Sequence, residues 1–345
     1  MSTNNLDATT REMWDRTVKD QVYLRHVLLF MLLERNQVLK AGISIKHTLD
    51  FNELDTLAQE YAPNDPLTGG SEIVVKTAEW YPKYMQLPIK VTGDEWRRNA
   101  GGGDGQIVSL PEYLVKKAHR GLRIKLNEIV YRAGAVARDA EPAAGAAAGM
   151  QGLNDALTHD IQYGGLARLI GTPTNTFWQG GSTGNIFTDQ ADQLNPTVAN
   201  FRMCIDTISM HIEKKSDVIA IASNTQYRRL QAQVEGQRHY SDKGPHAKYG
   251  FTSFEIDEVE VFAEPWLTTL LNADRATHVN YFYMLHLPDW KYYVDAERGL
   301  GNTIGFMHQA KMLGGKDEFL DRIMLRANFV CTQPNASIFK SNFTM

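Results

Sequence analysis

The chain has 345 residues, of which 43% are hydrophobic, 22% are charged and 10% are aromatic. At roughly 100–200 residues per domain this length predicts about two domains, and the ordinary apolar fraction excludes disordered, collagen-like and low-complexity chains. The net charge of −4 gives no overall basic excess of the kind that duplex-DNA binders carry. The two cysteines, Cys204 and Cys331, are far apart and predict a reducing compartment, with both thiols in the core.

The N-terminal segment is polar and lacks the basic and apolar regions of a signal peptide. The most apolar run, Val27–Leu33, is far shorter than the ~20 residues that span a bilayer, which predicts a soluble, intracellular protein. This run belongs to a helical pattern over residues 12–35, in which apolar side chains recur every three or four positions. Such a helix packs either against its own body or against a neighbouring subunit, and the pattern leaves both open.

Residues 71–107 are rich in β-forming and aromatic residues, yet they contain Pro82 and Pro88. Because proline cannot donate a hydrogen bond to a sheet, this stretch is not a central strand. We predict instead a two-stranded arm that turns near Tyr81–Gln86. An isolated hairpin is marginally stable in water, so exposed side chains on the arm are expected to contact a partner. With one residue from the first helix, the candidate inter-subunit contacts are Trp14, Trp80, Tyr81, Tyr84 and Met85.

A second long helix is predicted from Ser109 to about Arg138, because Ser109 and Glu112 match a capping box with a proline in the first turn. From residue 196 to 234 the pattern predicts a helix, the buried strand Val218–Ala222 and another helix. A hairpin turning at Asp257-Glu258 and strands over 281–286 and 290–294 follow. The last predicted strand, Ile323–Cys331, alternates apolar and polar residues and is expected to be half-buried.

Motifs for catalysis, metal binding and phosphate binding are absent from the sequence. The glycine-rich segments 101–105, 180–184 and 299–301 lack the P-loop and dinucleotide patterns, and the ten histidines form no HExxH pair or His/Cys cluster. There is also no GxSxG elbow. We therefore predict no catalytic residues, no cofactor and no metal ligands; an enzyme of undetected type, with a ligand pocket, remains an alternative.

Taken in order, these elements resemble the major capsid proteins of tailed bacteriophages, which have the HK97-like fold. The resemblance extends over nearly the whole chain. It covers the extended loop and its return, the segment after the long helix, the strand-then-helix unit of the axial domain, and the terminal strand. The matching phrases are Trp80–Glu95 with Asn99–Gly101, Tyr163–Arg168 with Trp178, Val218–Leu230, and Phe319–Pro334.

The resemblance implies an α+β, HK97-like capsid fold. Its parts are an N-terminal helical arm, an extended β-hairpin loop, a long spine helix, a peripheral domain and an α/β axial domain. The domain boundaries expected from it are 1–66 for the N-arm, 67–108 for the extended loop, 109–195 for the peripheral domain with the spine helix, 196–300 for the axial domain, and 301–345 for the return to the peripheral domain.

The resemblance also implies a structural protein and not an enzyme. The expected function is that of a major capsid protein that self-assembles as hexamers and pentamers into the icosahedral head of a tailed phage. The head encloses double-stranded DNA without sequence-specific binding. Expected partners are further copies of the chain, a scaffolding protein, the portal and, in some members, a decoration protein, with no membrane. The protein is expected in the virion, with assembly in the host cytoplasm. The alternative is an encapsulin-like nanocompartment that carries enzyme cargo.

Overall fold

A computed structural model describes residues 26–39, 43–50, 57, 70, 74–95, 110–132, 139–141, 149–158, 162–168, 178, 197–234, 253–265, 267, 282–295, 307–312 and 318–340. Trp14 and the three glycine-rich segments lie outside these residues. Among the helices within them, none is long and apolar enough to cross a membrane.

The described residues form five α-helices: α1 (Val27–Glu34), α2 (Leu110–Tyr131), α3 (Leu153–Leu157), α4 (Val198–Ser209) and α5 (Asn224–Val234). The long helix begins at Leu110, close to the predicted start, and ends at Tyr131, earlier than the predicted Arg138, while Ser109 lies outside the described residues. The cap of α5 is also confirmed, because the Ser223 hydroxyl accepts a hydrogen bond from the Gln226 backbone N–H at 3.4 Å and the Gln226 side chain accepts one from the Ser223 N–H at 3.3 Å. The N-cap of α4 is Thr197, whose side chain accepts from the Asn200 N–H.

Twelve strands are described, and they form three sheets. One has the order β1-β9-β11-β10, with β4 also paired to β11; a second has the order β12-β8-β5-β7-β6; the third contains β2 and β3 alone. Their bounds are β1 Asn36–Leu39, β2 Ile45–Asp50, β3 Val75–Trp80, β4 Lys83–Thr92, β5 Val218–Ala222, β6 Ser253–Ile256, β7 Val259–Ala263, β8 Phe282–His286, β9 Trp290–Asp295, β10 Met307–Met312, β11 Glu318–Cys331 and β12 Ser337–Lys340.

The sheet around β5 confirms the predicted alternation of helix and strand. All five residues of β5 are buried, and the strand lies between β7 and β8. Helices α4 and α5 cover one face of this sheet, with Phe201, Ile205 and Leu230 in the shared core. The β6–β7 hairpin turns where predicted, because Asp257 and Glu258 both adopt the positive φ angles, 49° and 71°, that a two-residue type I′ turn requires.

The predicted hairpin near Tyr81–Gln86 is wrong. Strands β3 and β4 do not pair with each other: β3 pairs antiparallel with β2, and β4 pairs with β11. Only Tyr81 and Pro82 join β3 to β4, and a two-residue hairpin needs a positive φ that proline cannot adopt and that Tyr81 does not have. The observed hairpin is therefore one strand earlier in the chain, with Ile45 opposite Trp80 and Asp50 opposite Val75.

The described part of the first predicted helix, α1, packs within its own chain, whereas residues 12–25 of that prediction lie outside the described residues. Five of its apolar side chains are buried, while Phe30 is 45% exposed and Glu34 at the C-terminal end is exposed as well. The buried carboxylate of Glu264 accepts a hydrogen bond from the Val27 backbone N–H at 2.9 Å, at the helix N-terminus where a negative charge is favoured. This helix is therefore part of the core.

Buried and more exposed side chains alternate along only part of strand β11. Ile323, Leu325 and Ala327 alternate with more exposed neighbours as predicted, but every residue from Asn328 to Cys331 is buried. Both faces of this end of the strand are covered, because Phe329 packs on Tyr292 while Asn328 bonds to residues on the other side. Both cysteines are buried, as predicted, and neither forms a disulfide.

The described residues divide into two compact units. Residues 86–95, 110–125, 307–312 and 318–324 belong to the smaller unit, and the remaining described residues belong to the larger one. The division falls within β4, α2 and β11. The β2–β3 hairpin and all of its contacts discussed below lie in the larger unit.

Candidate functional site

The side chains of the β2–β3 hairpin are buried at one end and exposed at the other. At its root, the cross-strand pair Ile45 and Trp80 is 5% and 0% exposed, and Ala78 is also 0% exposed. At the far end Val75 is 46% exposed, and Asp50 opposite it is exposed as well. The hairpin thus starts in the core of its own subunit and runs out of it.

Trp80 is buried in its own subunit, so the expectation that it is exposed on an arm is wrong. Its ring centroid lies 5.6 Å from those of His47 and Tyr163 and 6.0 Å from that of Trp178. The guanidinium of Arg168 lies 5.2 Å from the Tyr163 ring centroid. Burial raises the pKa of the Tyr163 hydroxyl. The hydroxyl oxygen accepts a hydrogen bond from the Cys331 N–H at 2.7 Å. Trp80 therefore anchors the hairpin root.

A two-glycine turn lies directly against the root. Gly164 and Gly165 have φ angles of +61° and +74°, in the region that favours glycine. The Gly164 carbonyl accepts a hydrogen bond from the Glu79 N–H at 2.9 Å. A Cβ at Gly164 would lie 3.0 Å from the Trp80 ring and 3.1 Å from Ala78, so only glycine allows this close approach.

The carboxylate of Asp139 holds this turn in place. It accepts hydrogen bonds from the Gly164 and Gly165 N–H groups, each at 2.7 Å, and from the Gln151 side-chain amide at 3.0 Å. Successive N–H groups of a tight turn form a concavity that binds anions, and here the anion comes from the chain itself. Asp139 is 7% exposed, so these charge-assisted bonds are shielded from water.

The segment between β3 and β4 is held on both sides. The Asn328 amide donates to the Tyr81 carbonyl at 3.0 Å and to the Gln151 side-chain oxygen at 2.9 Å. The ammonium of Lys83, a residue that is 0% exposed, donates to the Ala140 carbonyl. Burial lowers the pKa of Lys83, against the opposite effect of the nearby carboxylates. The chain is therefore anchored at both ends of the link from β3 to β4, at Tyr81 and at Lys83.

The end of the long helix joins the same network. The Asn154 amide donates to the carbonyls of Tyr131 and Arg132, at 3.3 and 3.0 Å, and so satisfies groups that a helix C-terminus leaves unpaired. The Tyr283 hydroxyl of β8 donates to the Asn154 side-chain oxygen at 3.1 Å. The hairpin root, the end of α2 and the β5 sheet are thus held in one body.

The outer face of the hairpin contributes little to this anchoring. Lys46 and Glu79 form a 3.3 Å ion pair whose side chains are 61% and 33% exposed, and such solvent-exposed pairs contribute little to stability. The pKa of Glu79 is lowered, first by a hydrogen bond from Ser44 and then by Lys46. His47 is instead on the inner face with Trp80, where burial lowers the pKa of its ring, which lies within hydrogen-bond distance of the Tyr293 hydroxyl.

The five candidate contact residues have different surroundings. Tyr84 is 56% exposed, and the Arg326 guanidinium lies 5.5 Å from its ring centroid. Tyr81 and Met85 are partly exposed, Trp80 is buried, and Trp14 lies outside the described residues. Contact of Tyr81, Tyr84 and Met85 with another subunit stays a prediction.

Sequence reasoning missed the buried polar residues of the root, Asp139, Gln151 and Asn328. The Gly164-Gly165 pair was a signal for a tight turn, although nothing local identified its carboxylate partner. Among the residues that the structure describes, no group of three His, Cys, Asp or Glu could hold a metal ion. The polar groups of the root bind backbone N–H and carbonyl groups, so this arrangement is suited to holding the chain.

Comparison with known proteins found no family model and no curated protein that matches the chain. Solved structures do match it. The capsid of cyanophage A-1(L) is 14% identical with a TM-score of 0.67, over 98% of both chains. An encapsulin from Synechococcus elongatus is 8% identical with a TM-score of 0.57, over 100% of this chain and 97% of its own. The capsid of cyanophage P-SCSP1u is 10% identical with a TM-score of 0.57, over 97% and 94%. The chain therefore has the mixed helix-and-sheet fold of these capsid and encapsulin structures.

Proposed function

We propose that this chain is the major capsid protein of a tailed phage, a structural subunit and not an enzyme. Its fold matches phage capsid structures over nearly the whole chain. The observation that carries the proposal is the β2–β3 hairpin, which is locked to its own subunit at Trp80 and exposed at Val75. In this proposal the hairpin, rather than residues 67–108, is the arm that lies across a neighbour.

The rigid root gives the arm a definite direction. Because the root is held by hydrogen bonds to the Asp139 carboxylate and from the side chains of Asn328 and Lys83, little conformational freedom at this point remains to be lost on binding. Among the described residues, β2 and β3 pair only with each other, and a two-stranded sheet needs a further surface to be stable. When every copy places its arm on the next, the contacts are heterologous, and they form rings where the rotation between copies closes. Hexamers and pentamers in an icosahedral shell are such rings.

The remaining parts of the proposal concern what surrounds the shell and what it contains. The shell encloses double-stranded DNA without sequence-specific binding, and it is built with a scaffolding protein, a portal and, where the phage has one, a decoration protein. It assembles in the host cytoplasm and ends in the virion. The fold that the chain shares with phage capsid structures supports this part of the proposal.

A cellular nanocompartment is the second candidate, because an encapsulin is among the matching structures. The two functions differ in cargo. Shells purified with nuclease-protected DNA favour the phage head. Shells that copurify with one enzyme and carry no nucleic acid favour the nanocompartment.

Negative-stain electron microscopy after size exclusion tests the proposal, with the full chain expressed alone and together with its scaffolding protein. We expect closed shells or rings of five and six subunits. Val75→Asp places a charge at the exposed end of the hairpin and should prevent assembly of a folded subunit, whereas Val75→Thr keeps the shape and should assemble. A uniform monomer or dimer of the unaltered chain under both conditions would contradict the proposal.

A further inference from the structure

Helix α2 carries a concentrated positive charge in a chain that is negative overall. Between Lys116 and Lys125 there are five lysine and arginine residues and no aspartate or glutamate, while the whole chain has a net charge of −4. The net charge of the whole chain does not reveal this basic segment. The positive charge is local to one helix.

Four of these five charges lie on one side of the helix, and Lys125 lies beside the buried stripe. Ala118, Leu122, Leu126 and Ile129 are 8%, 2%, 0% and 6% exposed and form the buried stripe. At 3.6 residues per turn, the side opposite this stripe is occupied by basic residues. Lys116, Lys117 and Arg123 are exposed and Arg120 is partly exposed. We call these four residues the basic face.

Like charges recur along the basic face. Lys116 and Arg120 are four residues apart and Arg120 and Arg123 three apart, so these side chains are neighbours on the helix surface. A face of one sign also creates a potential that attracts polyanions. The basic face is therefore suited to contact with an anionic surface.

The dimensions of the basic face match a DNA backbone. From Lys116 to Arg123 the helix rises about 10 Å, at 1.5 Å per residue. The same length of B-DNA axis carries about six phosphate charges, at one per ≈ 1.7 Å. Lysine and arginine contacts to phosphate position a protein on the duplex and carry no sequence information.

We infer that the basic face of α2 binds the phosphate backbone of double-stranded DNA without reading its sequence. The inference rests on the proposed function, in which the shell encloses DNA, and it adds the surface that contacts the DNA. Enclosure by itself requires no such surface. Binding there would hold the outermost layer of DNA by counterion release, in a manner that depends on salt.

Fluorescence anisotropy with a short duplex of random sequence tests the inference, using the full-length, unassembled chain over a series of salt concentrations. The variant Lys116→Gln/Arg123→Gln removes two charges from the basic face. The control Lys214→Gln/Lys215→Gln removes the same charge from the exposed turn before β5. We expect the first variant to bind about tenfold more weakly per lost contact at 0.1 M salt, with a salt slope smaller by about two, and the control to match the unaltered chain.

Equal binding by the first variant and the unaltered chain, with far-UV circular dichroism showing both folded, would overturn the inference. So would displacement by poly-glutamate at a lower charge concentration than by unlabelled duplex, because that result assigns the face to an acidic protein segment. Electron microscopy of the same chains, after they are placed under assembly conditions with the scaffolding protein, separates the two proposals. Shells from a chain that binds no duplex reject only the basic face, and duplex binding without assembly rejects only the shell.

Discussion

Replacement of Trp80 by alanine is expected to destabilise the subunit itself. The side chain is 0% exposed, and three aromatic rings, those of His47, Tyr163 and Trp178, lie within 6.0 Å of its centroid. Truncation of a buried tryptophan to alanine costs about 3–5 kcal/mol. Because a folded domain is stable by only about 5–15 kcal/mol, this loss should lower the urea midpoint of the unassembled subunit strongly.

The measurement is urea unfolding followed by far-UV circular dichroism, since tryptophan fluorescence loses one of its reporters in the variant. Trp80→Phe keeps a ring in the pocket and removes an indole N–H that has no hydrogen-bond partner among the described residues, so it should recover most of the stability. Tyr84→Ala is the exposed comparison. It should change stability by less than about 1 kcal/mol, the scale of a cation–π contact such as that with Arg326, and lower the yield of shells. An unchanged midpoint for Trp80→Ala would refute the burial argument.

Two further substitutions test the contacts of the root and of the β6–β7 hairpin. Gly164→Ala should cost about 2–4 kcal/mol, because its Cβ adds strain at positive φ and meets Trp80 at 3.0 Å. Gly165→Ala has open space around its Cβ and should show only the strain, about 1 kcal/mol, so equal losses in urea unfolding would contradict the close contact. Glu260→Gln should stabilise the subunit at neutral pH. Burial, and then Glu255 opposite it, raise the pKa of Glu260, so the folded state keeps a proton that the unfolded state releases. Stability of the unaltered chain should therefore fall as pH rises from 4.5 through the raised pKa; a slope that persists in Glu260→Gln would exclude this residue as its source.

Features that depend on neighbouring residues were predictable from the sequence. The apolar run Val218–Ala222 is a buried strand, Ser223 caps the helix that follows it, and the chain turns at Asp257-Glu258. In each case the residues that decide the structure are within a few positions of one another. Capping, turn formation and strand burial are short-range effects of this kind.

The pairing of the arm strands was not predictable in the same way. The pattern correctly placed β-structure at 75–80 and 83–92, but the partner of β3 is β2, which ends at Asp50, well before β3 begins at Val75. A strand's own sequence specifies which face is buried but not which other strand lies beside it. The dipeptide Tyr81-Pro82 did contain the evidence against a hairpin, since proline cannot supply a positive φ.

Buried polar residues mark the limit of pattern-based prediction, and they are also what gives the hairpin its function in the proposal. Asn328 occupies a polar position in an alternating strand, which indicates an exposed side chain, yet it is 0% exposed because its partners Gln151 and Tyr81 come from distant segments. Leaving such an amide unpaired in the core would cost about 1–3 kcal/mol, so the segments have to meet in one arrangement for all its bonds to form. An apolar contact tolerates small shifts, whereas these bonds do not. The network therefore gives the hairpin root one direction, which is what an arm needs if every copy in a ring is to place it on the next copy in the same way.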